Sequence, residues 1–361
     1  MGFTGTAIAA MMRNVRLPAL LLGPVLALGM AAPAAAKGGV TPLFKDSTVL
    51  SVTISGPINS IARAAQKSTD PQDATLVANG ETHAIALSAR GISRRRSENC
   101  KFPPLSVLFK AKPAETSLFD GQKRMKLVAH CRPEARFDQF VLKEYAAYRL
   151  YNQLTDKSLK VRLAKIRYED GGKLVAERMG FFIEDVDDAA SRLGKKKIEN
   201  SDVPVSAFGR EDTARYTLFQ YMIGNLDWDM NHGPQINDCC HNSKIIGPAV
   251  EAREGLTPVA YDFDYSGLVN APYAVPPVNV PVANVTQRFY RGYCVHNEET
   301  RAMLPQFNSA RGRMLAELAA IPGLEERTRS SMENFLDGFF SQVGTSQGAE
   351  KALFKGCRKS Q

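Results

Sequence analysis

The chain has 361 residues, a formal net charge of +9 at pH 7 and 44% hydrophobic residues, which is enough apolar sequence to bury a sizeable core. The basic excess favours anionic partners such as phosphates or anionic lipids. Its basic runs, Arg94-Arg95-Arg96 and Lys195-Lys196-Lys197, contain no interleaved aromatic residues, so we expect solvated loops there and no binding of nucleic acid.

The N-terminal segment predicts an export signal. Arg13 and Arg16 precede an almost purely apolar run, residues 17–30, and Ala34-Ala35-Ala36 offers small residues for cleavage. Prolines interrupt this run, which is shorter than the roughly 20 apolar residues of a membrane span, so an uncleaved anchor is the less favoured alternative. We therefore expect a periplasmic or secreted protein that starts near Lys37, has a net charge of +7 and keeps no stable membrane anchor.

The six cysteines all follow this signal. An even number of cysteines in an oxidising compartment predicts up to three disulfides, although sequence alone cannot choose among the possible pairings. We expect Cys100 to pair with Cys131, because they lie beside strands that should be neighbours, and Cys239 or Cys240 to pair with Cys294 or Cys357. The disulfide candidates are Cys100, Cys131, Cys239, Cys240, Cys294 and Cys357.

The first half of the exported part is predicted to be mainly β-structure with one helix. Apolar residues alternate with polar or small ones around 50–55 and 83–87, which is typical of half-buried strands. Further strands are expected at 105–109, 126–129, 161–168 and 174–183, the last two joined by a hairpin turn at Asp170-Gly171-Gly172. One helix is expected from about Phe137 to Leu154.

The second half is predicted to be helical. Helices are expected after Arg210, near 298–320 and near 325–342. Four prolines exclude a regular helix over Ala271–Val285. Together these elements predict an α+β fold with a signal peptide at 1–36, a strand-rich part at 37–186, a linker at 187–210 and a helical part at 211–361.

Acidic residues follow predicted elements at two places in the second half. Asp227 and Asp229 lie in Gly224-Asn225-Leu226-Asp227-Trp228-Asp229-Met230-Asn231, which is followed by His241-Asn242. Asp262 and Asp264 lie in Tyr261-Asp262-Phe263-Asp264-Tyr265. Singly these are ordinary turn residues. Together, several carboxylates and an amide form the oxygen-rich set that Mg²⁺ prefers, usually shared with substrate phosphates.

A third candidate group lies in the strand-rich half. The spacing of the 137–154 helix places Glu144 on its apolar stripe. A buried carboxylate without a partner is costly, so Glu144 should meet a cation, and Lys126 on the preceding strand is the best candidate. Such a pair holds the α- and β-phosphates of ATP in protein kinases. The alternatives are a purely structural ion pair and a glutamate at the edge of the stripe.

These motifs, in this order, resemble the CotH-type spore-coat kinases, a secreted or surface-associated family with a protein-kinase-like fold. Ala89-Arg90-Gly91-Ile92-Ser93 resembles the RGxS element of the family, and Phe181-Phe182-Ile183-Glu184 resembles its hinge. The Asp227 loop with His241-Asn242 is similar to its catalytic loop, and Tyr261-Asp262-Phe263-Asp264 is similar to its metal-binding DxD. The resemblance runs over most of the exported part.

The resemblance implies a two-lobed kinase-like fold, with a strand-rich N-terminal lobe, a helical C-terminal lobe and the site in the cleft between them. It implies Asp227 as the catalytic base, and Asn242 with Asp262 and Asp264 as ligands of Mg²⁺ or Mn²⁺ bound with ATP. Asp264 could exchange roles with Asp262, and Asp229 with Asp227. Lys126, Glu144 and Glu184 would bind the nucleotide. The expected activity is metal-dependent transfer of phosphate to a hydroxyl of a protein or envelope component.

The sequence is also compatible with functions other than that of a kinase. An insertion separates Asp227 from Asn242, and no GxGxxG loop is present, so a non-catalytic pseudokinase that serves as an envelope binding or structural protein is the main alternative. A zinc site at Cys239, Cys240, His241 and His232 is less favoured, because adjacent cysteines do not easily chelate one ion. No GxSxG elbow is present, which argues against a serine hydrolase.

Overall fold

Seven strands in the first part of the chain form a closed barrel. The computed structural model describes residues 39–199, 203–233 and 239–359, so the predicted export signal lies outside the described residues. The barrel strands are β1 (Leu50–Ser55), β2 (Gln72–Ala78), β3 (Glu81–Ala89), β4 (Leu105–Phe109), β5 (Arg124–Val128), β6 (Val161–Asp170) and β7 (Lys173–Ile183). Six of these strands confirm the sequence prediction, and β2 was not predicted.

The remaining elements are mainly helices. Along the chain they are α1 (Pro42–Lys45), α2 (Ile58–Ala64), α3 (Phe137–Asn152), α4 (Val186–Arg192), β8 (Lys196–Ile198), α5 (Arg210–Met222), β9 (Ser243–Gly247), β10 (Thr257–Ala260), α6 (Asn297–Ala319), α7 (Glu326–Val343) and α8 (Ser346–Ala349). The four long helices confirm the sequence prediction, and 271–285 contains no regular element. No helix in the described ranges has the length and hydropathy needed to cross a bilayer.

The barrel closes through a pairing between its first and sixth strands. Neighbouring strands follow the order β1-β2-β3-β4-β5-β7-β6. β1 then pairs in parallel with β6, with Leu50 opposite Ala164 and Ile54 opposite Tyr168. The predicted two-lobed protein-kinase-like fold is therefore wrong, although the chain is α+β overall. Alternation in a sequence reveals strands, but it does not reveal a parallel pairing between segments more than a hundred residues apart.

Alternate side chains of the strands fill the barrel. The β1 side chains Val52 and Ile54 are buried while Ser51 is exposed, as the period of two requires. At the tip of the β6–β7 hairpin, Gly171 and Gly172 have φ values of 57° and 76°. Positive φ at both central residues is what a tight type I′ turn demands, and glycine adopts it without a steric cost.

A second core joins the helices to one side of the barrel. Helix α3 packs on β7 and β6, and α5 contacts α6 and β10. Phe181 on β7 contacts both Tyr145 and Tyr148 of α3, at ring-centroid distances of 5.7 Å. A small antiparallel sheet in the order β10-β9-β8 lies in the second part of the chain. The end of β10 and the start of β9 therefore lie close together, which positions the site.

Three disulfides join the six cysteines in pairs. Cys100 bonds to Cys131, as expected, with 4.6 Å between their Cα atoms. The other expectation is wrong, because Cys239 bonds to its neighbour Cys240, and Cys294 bonds to Cys357 across a sequence separation of 63 residues. Disulfides of this number indicate an oxidising, extracellular compartment. The predicted boundaries near 186 and 210 stay predictions.

Candidate functional site

A rigid loop after helix α5 presents Asp227. The helix ends at Met222, and Gly224 follows two residues later with a φ of 62°, which suits a glycine just after a helix. Asn225 then fixes the loop, because its Oδ1 accepts a hydrogen bond from the Asp227 amide at 3.1 Å and its carbonyl accepts one from the Trp228 indole at 3.0 Å. Trp228 is buried. The Asp227 carboxylate is therefore held at a fixed position at the end of the helix.

Two side chains from the start of β9 hold the Asp227 carboxylate. The His241 Nε2 atom lies 2.6 Å from Asp227 Oδ1. The Asn242 side-chain amide donates to Asp227 Oδ2 at 2.9 Å and to its carbonyl at 2.7 Å. The hydrogen bond to Asp227 raises the pKa of His241 above its ordinary value. The three residues thus form one hydrogen-bonded unit.

Asp229 occupies a different environment from Asp227. Its Oδ1 accepts hydrogen bonds from the backbone amides of Asn231 and His232, both at 3.1 Å. Its other oxygen faces the guanidinium groups of Arg291 and Arg358, at 4.0 and 3.9 Å. These contacts give Asp229 the role of organising the loop, and they favour Asp227 as the reactive carboxylate.

The three residues Asp262-Phe263-Asp264, which follow β10, lie in different surroundings. Phe263 enters the core, with its ring centroid 4.6 Å from that of Tyr148. The Asp262 amide donates to the Tyr148 hydroxyl at 2.8 Å, and the Tyr273 hydroxyl donates to Asp264 Oδ2 at 3.0 Å. Burial, and then the charge of Asp262, raise the pKa of the Asp264 carboxyl. Two acidic side chains thus stay close together at the strand end.

Backbone conformations at two of these positions are unusual. Asn242 has a φ of 48° and Asp262 a φ of 64°. A non-glycine residue in this region is uncommon and costs free energy, and such residues concentrate at functional sites. Asn242 and Asp262 are two of the three residues predicted to bind a metal.

The expected ion pair between Lys126 and Glu144 is not formed within the described ranges. Glu144 is 2% exposed, and its cation is Arg94, whose Nη1 lies 3.4 Å from Glu144 Oε2. Arg94 also donates to the Ala129 carbonyl at 2.5 Å. Arg94 is itself buried, so the expectation of a solvated loop is wrong for this residue. The sequence predicted a cation near Glu144 but not the correct one. Lys126 was chosen because it lies closer to Glu144 along the chain than Arg94 does.

Lys126 contacts the ring of Tyr261 and does not pair with Glu144. Its ammonium sits 4.7 Å from the centroid of the Tyr261 ring, and the ammonium of Lys244 sits 5.2 Å from the same centroid. Burial, together with the charges of Arg90 and Lys244, lowers the pKa of Lys126 to about 8, against the opposing effect of Asp185 and Asp262. A desolvated ammonium that lacks a carboxylate partner is ready to meet an anionic ligand.

Glu184 belongs to a separate network. Its Oε1 accepts a hydrogen bond from Arg192 Nε at 2.8 Å. Its Oε2 accepts bonds from the Lys160 amide at 2.8 Å and from Arg192 Nη2 at 3.1 Å. The side chain is buried and fully engaged, so the structure provides no free carboxylate here for a nucleotide.

Three residues of the site escaped sequence reasoning. Arg94 and Tyr273 surround Asp264 and Glu144, and Lys244 shares the Tyr261 ring with Lys126. The signal for Arg94 was its place directly after the Arg90–Ser93 element. Lys244 stands two residues after Asn242 and so projects from the same strand start.

The residues that could hold a metal form an oxygen donor set. In the described part of the chain, Asn242 Oδ1 and the Asp262 carboxylate accept no protein hydrogen bond, and Glu144 Oε1 is buried without a partner. No group of three or more His, Cys, Asp or Glu side chains there is placed to hold a metal ion. One or two carboxylates plus an amide are too few ligands to surround a metal ion with protein alone. They suit Mg²⁺ or Mn²⁺, which keep several waters and share phosphate oxygens.

Comparisons with known proteins give little further information. No protein-family model and no curated protein matches the sequence. Among solved structures, the chain is similar to the crystal structure of a Helicobacter pylori proinflammatory kinase, CtkA, with 11% sequence identity and a TM-score of 0.37. The match covers 78% of this chain and 93% of that one. A likeness at this level carries no weight for fold or function, and membership of the CotH-type family stays a prediction.

Proposed function

We propose that this protein transfers a phosphoryl group from a nucleotide to a hydroxyl group of a protein or envelope component, with Mg²⁺ or Mn²⁺. The observation that carries the proposal is the unit of Asp227, His241 and Asn242 next to Asp262 and Asp264. It places one anchored carboxylate beside an acidic pair and two ammonium groups, and phosphoryl transfer requires little more than such positioning and charge neutralisation.

Asp227 is the proposed general base. It accepts the proton of the acceptor hydroxyl while the hydroxyl oxygen bonds to the γ-phosphorus and the bond to the bridging oxygen breaks, which leaves the nucleoside diphosphate. His241 and Asn242 each bind one oxygen of Asp227. A carboxylate oxygen has two lone pairs, so each can still receive a proton or a hydrogen bond. The two side chains orient the base.

Lys126 and Lys244 are the proposed phosphate contacts. Both ammonium groups lie against Tyr261, directly before Asp262. Burial lowers the pKa of both lysines, so each gains by meeting an anion. A bound divalent ion would neutralise phosphate charge here, held by Asn242 and Asp262. The charge of Arg94 offsets part of the negative charge of Glu144 and Asp264.

The compartment and the acceptor are part of the same proposal. The disulfides indicate an oxidising compartment, and together with the N-terminal sequence they support a periplasmic or secreted protein. The segment 271–285 follows the acidic pair after a six-residue connection, and Val275 and Val278 are strongly exposed there. We place the acceptor along this segment.

The test combines two measurements on purified protein. Thermal stabilisation by ATP with Mg²⁺ or Mn²⁺ reports binding, and label transfer from ATP to the protein or to an envelope extract reports chemistry. Asp262→Asn should lose metal-dependent stabilisation, and Asp227→Asn should keep stabilisation but lose transfer by about 10³-fold or more. Asp73→Asn, an acidic residue on the surface, is the matched control.

The outcomes separate the candidate functions. Absence of any nucleotide effect on the unmodified protein would sink the proposal. Stabilisation without transfer under any condition would instead support the non-catalytic alternative. Transfer that survives in Asp227→Asn would show that another group is the base.

A further inference from the structure

Away from this site, a basic cavity opens beside helix α2. Its volume is about 590 Å³, within the range of small-molecule pockets. Four of the residues that line it are cationic: Arg63, Lys67, Arg95 and Lys101. No acidic residue lines it. Like charges crowded around one concavity repel each other, and they focus a positive potential that favours an anion.

The four cations have no anionic partner in the described part of the chain. Arg63, Lys67 and Lys101 form no ion pair there, and Arg95 donates only to two carbonyls, those of Gly91 at 2.6 Å and Ala65 at 3.0 Å. All four nevertheless line the same space. The neighbouring acidic side chains, Asp70 and Glu98, lie outside the lining.

The walls of the cavity are held in place. On one side, Gln66 Oε1 accepts hydrogen bonds from the amide and the hydroxyl of Ser97, at 3.4 and 3.3 Å. On the other side, Lys101 follows the Cys100–Cys131 disulfide and donates its amide to the Cys131 carbonyl at 2.8 Å. A site with fixed walls loses less entropy when a ligand binds.

From these contacts we infer that the cavity binds a phosphate-bearing ligand with more than one negative charge. The ligand is either a soluble polyphosphorylated molecule or the phosphate headgroup of an anionic lipid, which present the same chemistry to the four cations. Charged hydrogen bonds from arginine and lysine recognise phosphate oxygens directly. The inference does not depend on the proposed function, because it uses none of the residues of that site.

The test uses sodium tripolyphosphate as the soluble probe, in calorimetric titrations at low ionic strength with a chelator present. Arg63→Gln with Lys67→Gln removes two exposed charges without removing buried groups, and it should weaken binding about tenfold or more. Lys112→Gln with Lys173→Gln removes two exposed lysines elsewhere and should leave affinity unchanged.

A second arm identifies the source of the phosphate. Co-sedimentation with phosphatidylcholine vesicles, with and without phosphatidic acid, tests the headgroup. Cavity-dependent binding to either probe supports the inference and assigns the ligand to the soluble or the lipid class. Two results overturn it: no binding to either probe, or an equal loss in both double variants. Label transfer from ATP is measured separately, so failure here leaves the proposed function standing.

Discussion

Replacing Lys126 by methionine should stabilise the protein at neutral pH while weakening nucleotide binding. The Lys126 ammonium lies in a largely desolvated position near two other cations, Arg90 and Lys244, which also disfavour its charged form. Methionine has similar volume and no charge, so it should pack in the same space. A charged residue that lowers the free energy of unfolding but binds a ligand is typical of a functional site.

The magnitude follows from the pKa of Lys126, which falls from an ordinary value of 10.5 to about 8. This difference corresponds to about 3.4 kcal/mol at 1.36 kcal/mol per pH unit. Because Lys126 is partly exposed, solvent screening reduces the expected gain to about 2 kcal/mol.

The sign of the pH dependence is fixed by the same values. Below pH 8 both folded and unfolded states carry the proton, so the penalty on the folded wild-type protein is complete. Between pH 8 and 10.5 the folded state binds fewer protons than the unfolded state, so the stability of the wild type rises with pH through this window. The advantage of Lys126→Met should therefore be largest below pH 8 and should vanish above 10.5.

The assay is urea unfolding of both proteins from pH 6.5 to 11, followed by circular dichroism. Lys173→Met, at an exposed position, is the matched control and should give no pH-dependent difference. A second readout is the thermal stabilisation by ATP with Mg²⁺, which should fall in Lys126→Met alone. A variant that is less stable than the wild type at pH 7, or a difference independent of pH, would refute the burial argument.

Three further predictions concern other parts of the molecule. Arg94→Met should lower the free energy of unfolding by about 3–5 kcal/mol, because it leaves the Glu144 carboxylate buried without its cation. Replacing Cys294 and Cys357 by serine should lower it by about 4 kcal/mol, since the bond closes a long loop in the unfolded chain. His241 has a raised pKa in the folded state, so it should stabilise the protein below pH 6.5, and this contribution should disappear as pH rises through the folded value.

Each of these three has its own control. The double variant Arg94→Met with Glu144→Leu should recover much of the loss, and no recovery would show that the ion pair is not the cause. Serine substitutions that cost nothing, measured against the oxidised wild-type protein, would contradict the disulfide estimate. For the histidine, the difference in urea midpoint between wild type and His241→Asn must shrink from pH 5.5 to pH 9, and a constant difference would disprove the linkage.

The local structure was predictable because it depends on short stretches of sequence. Alternation around Val52 and Ile54 reports one buried face of a strand, and the spacing along 137–152 reports one buried stripe of a helix. The two glycines after Asp170 specify a hairpin turn by their conformational freedom. The same locality explains why Asp227 and Asp262 could be identified as residues at the ends of elements.

The tertiary structure decided what depends on distant partners. The sequence required a cation for Glu144, but only the folded chain selected Arg94 over Lys126, because the choice depends on how the 93–95 turn packs against α3. It also selected the parallel pairing of β1 with β6 that closes the barrel. Pairings of this kind are fixed by side-chain packing across long sequence separations, whereas the period of a strand or helix is written in consecutive residues.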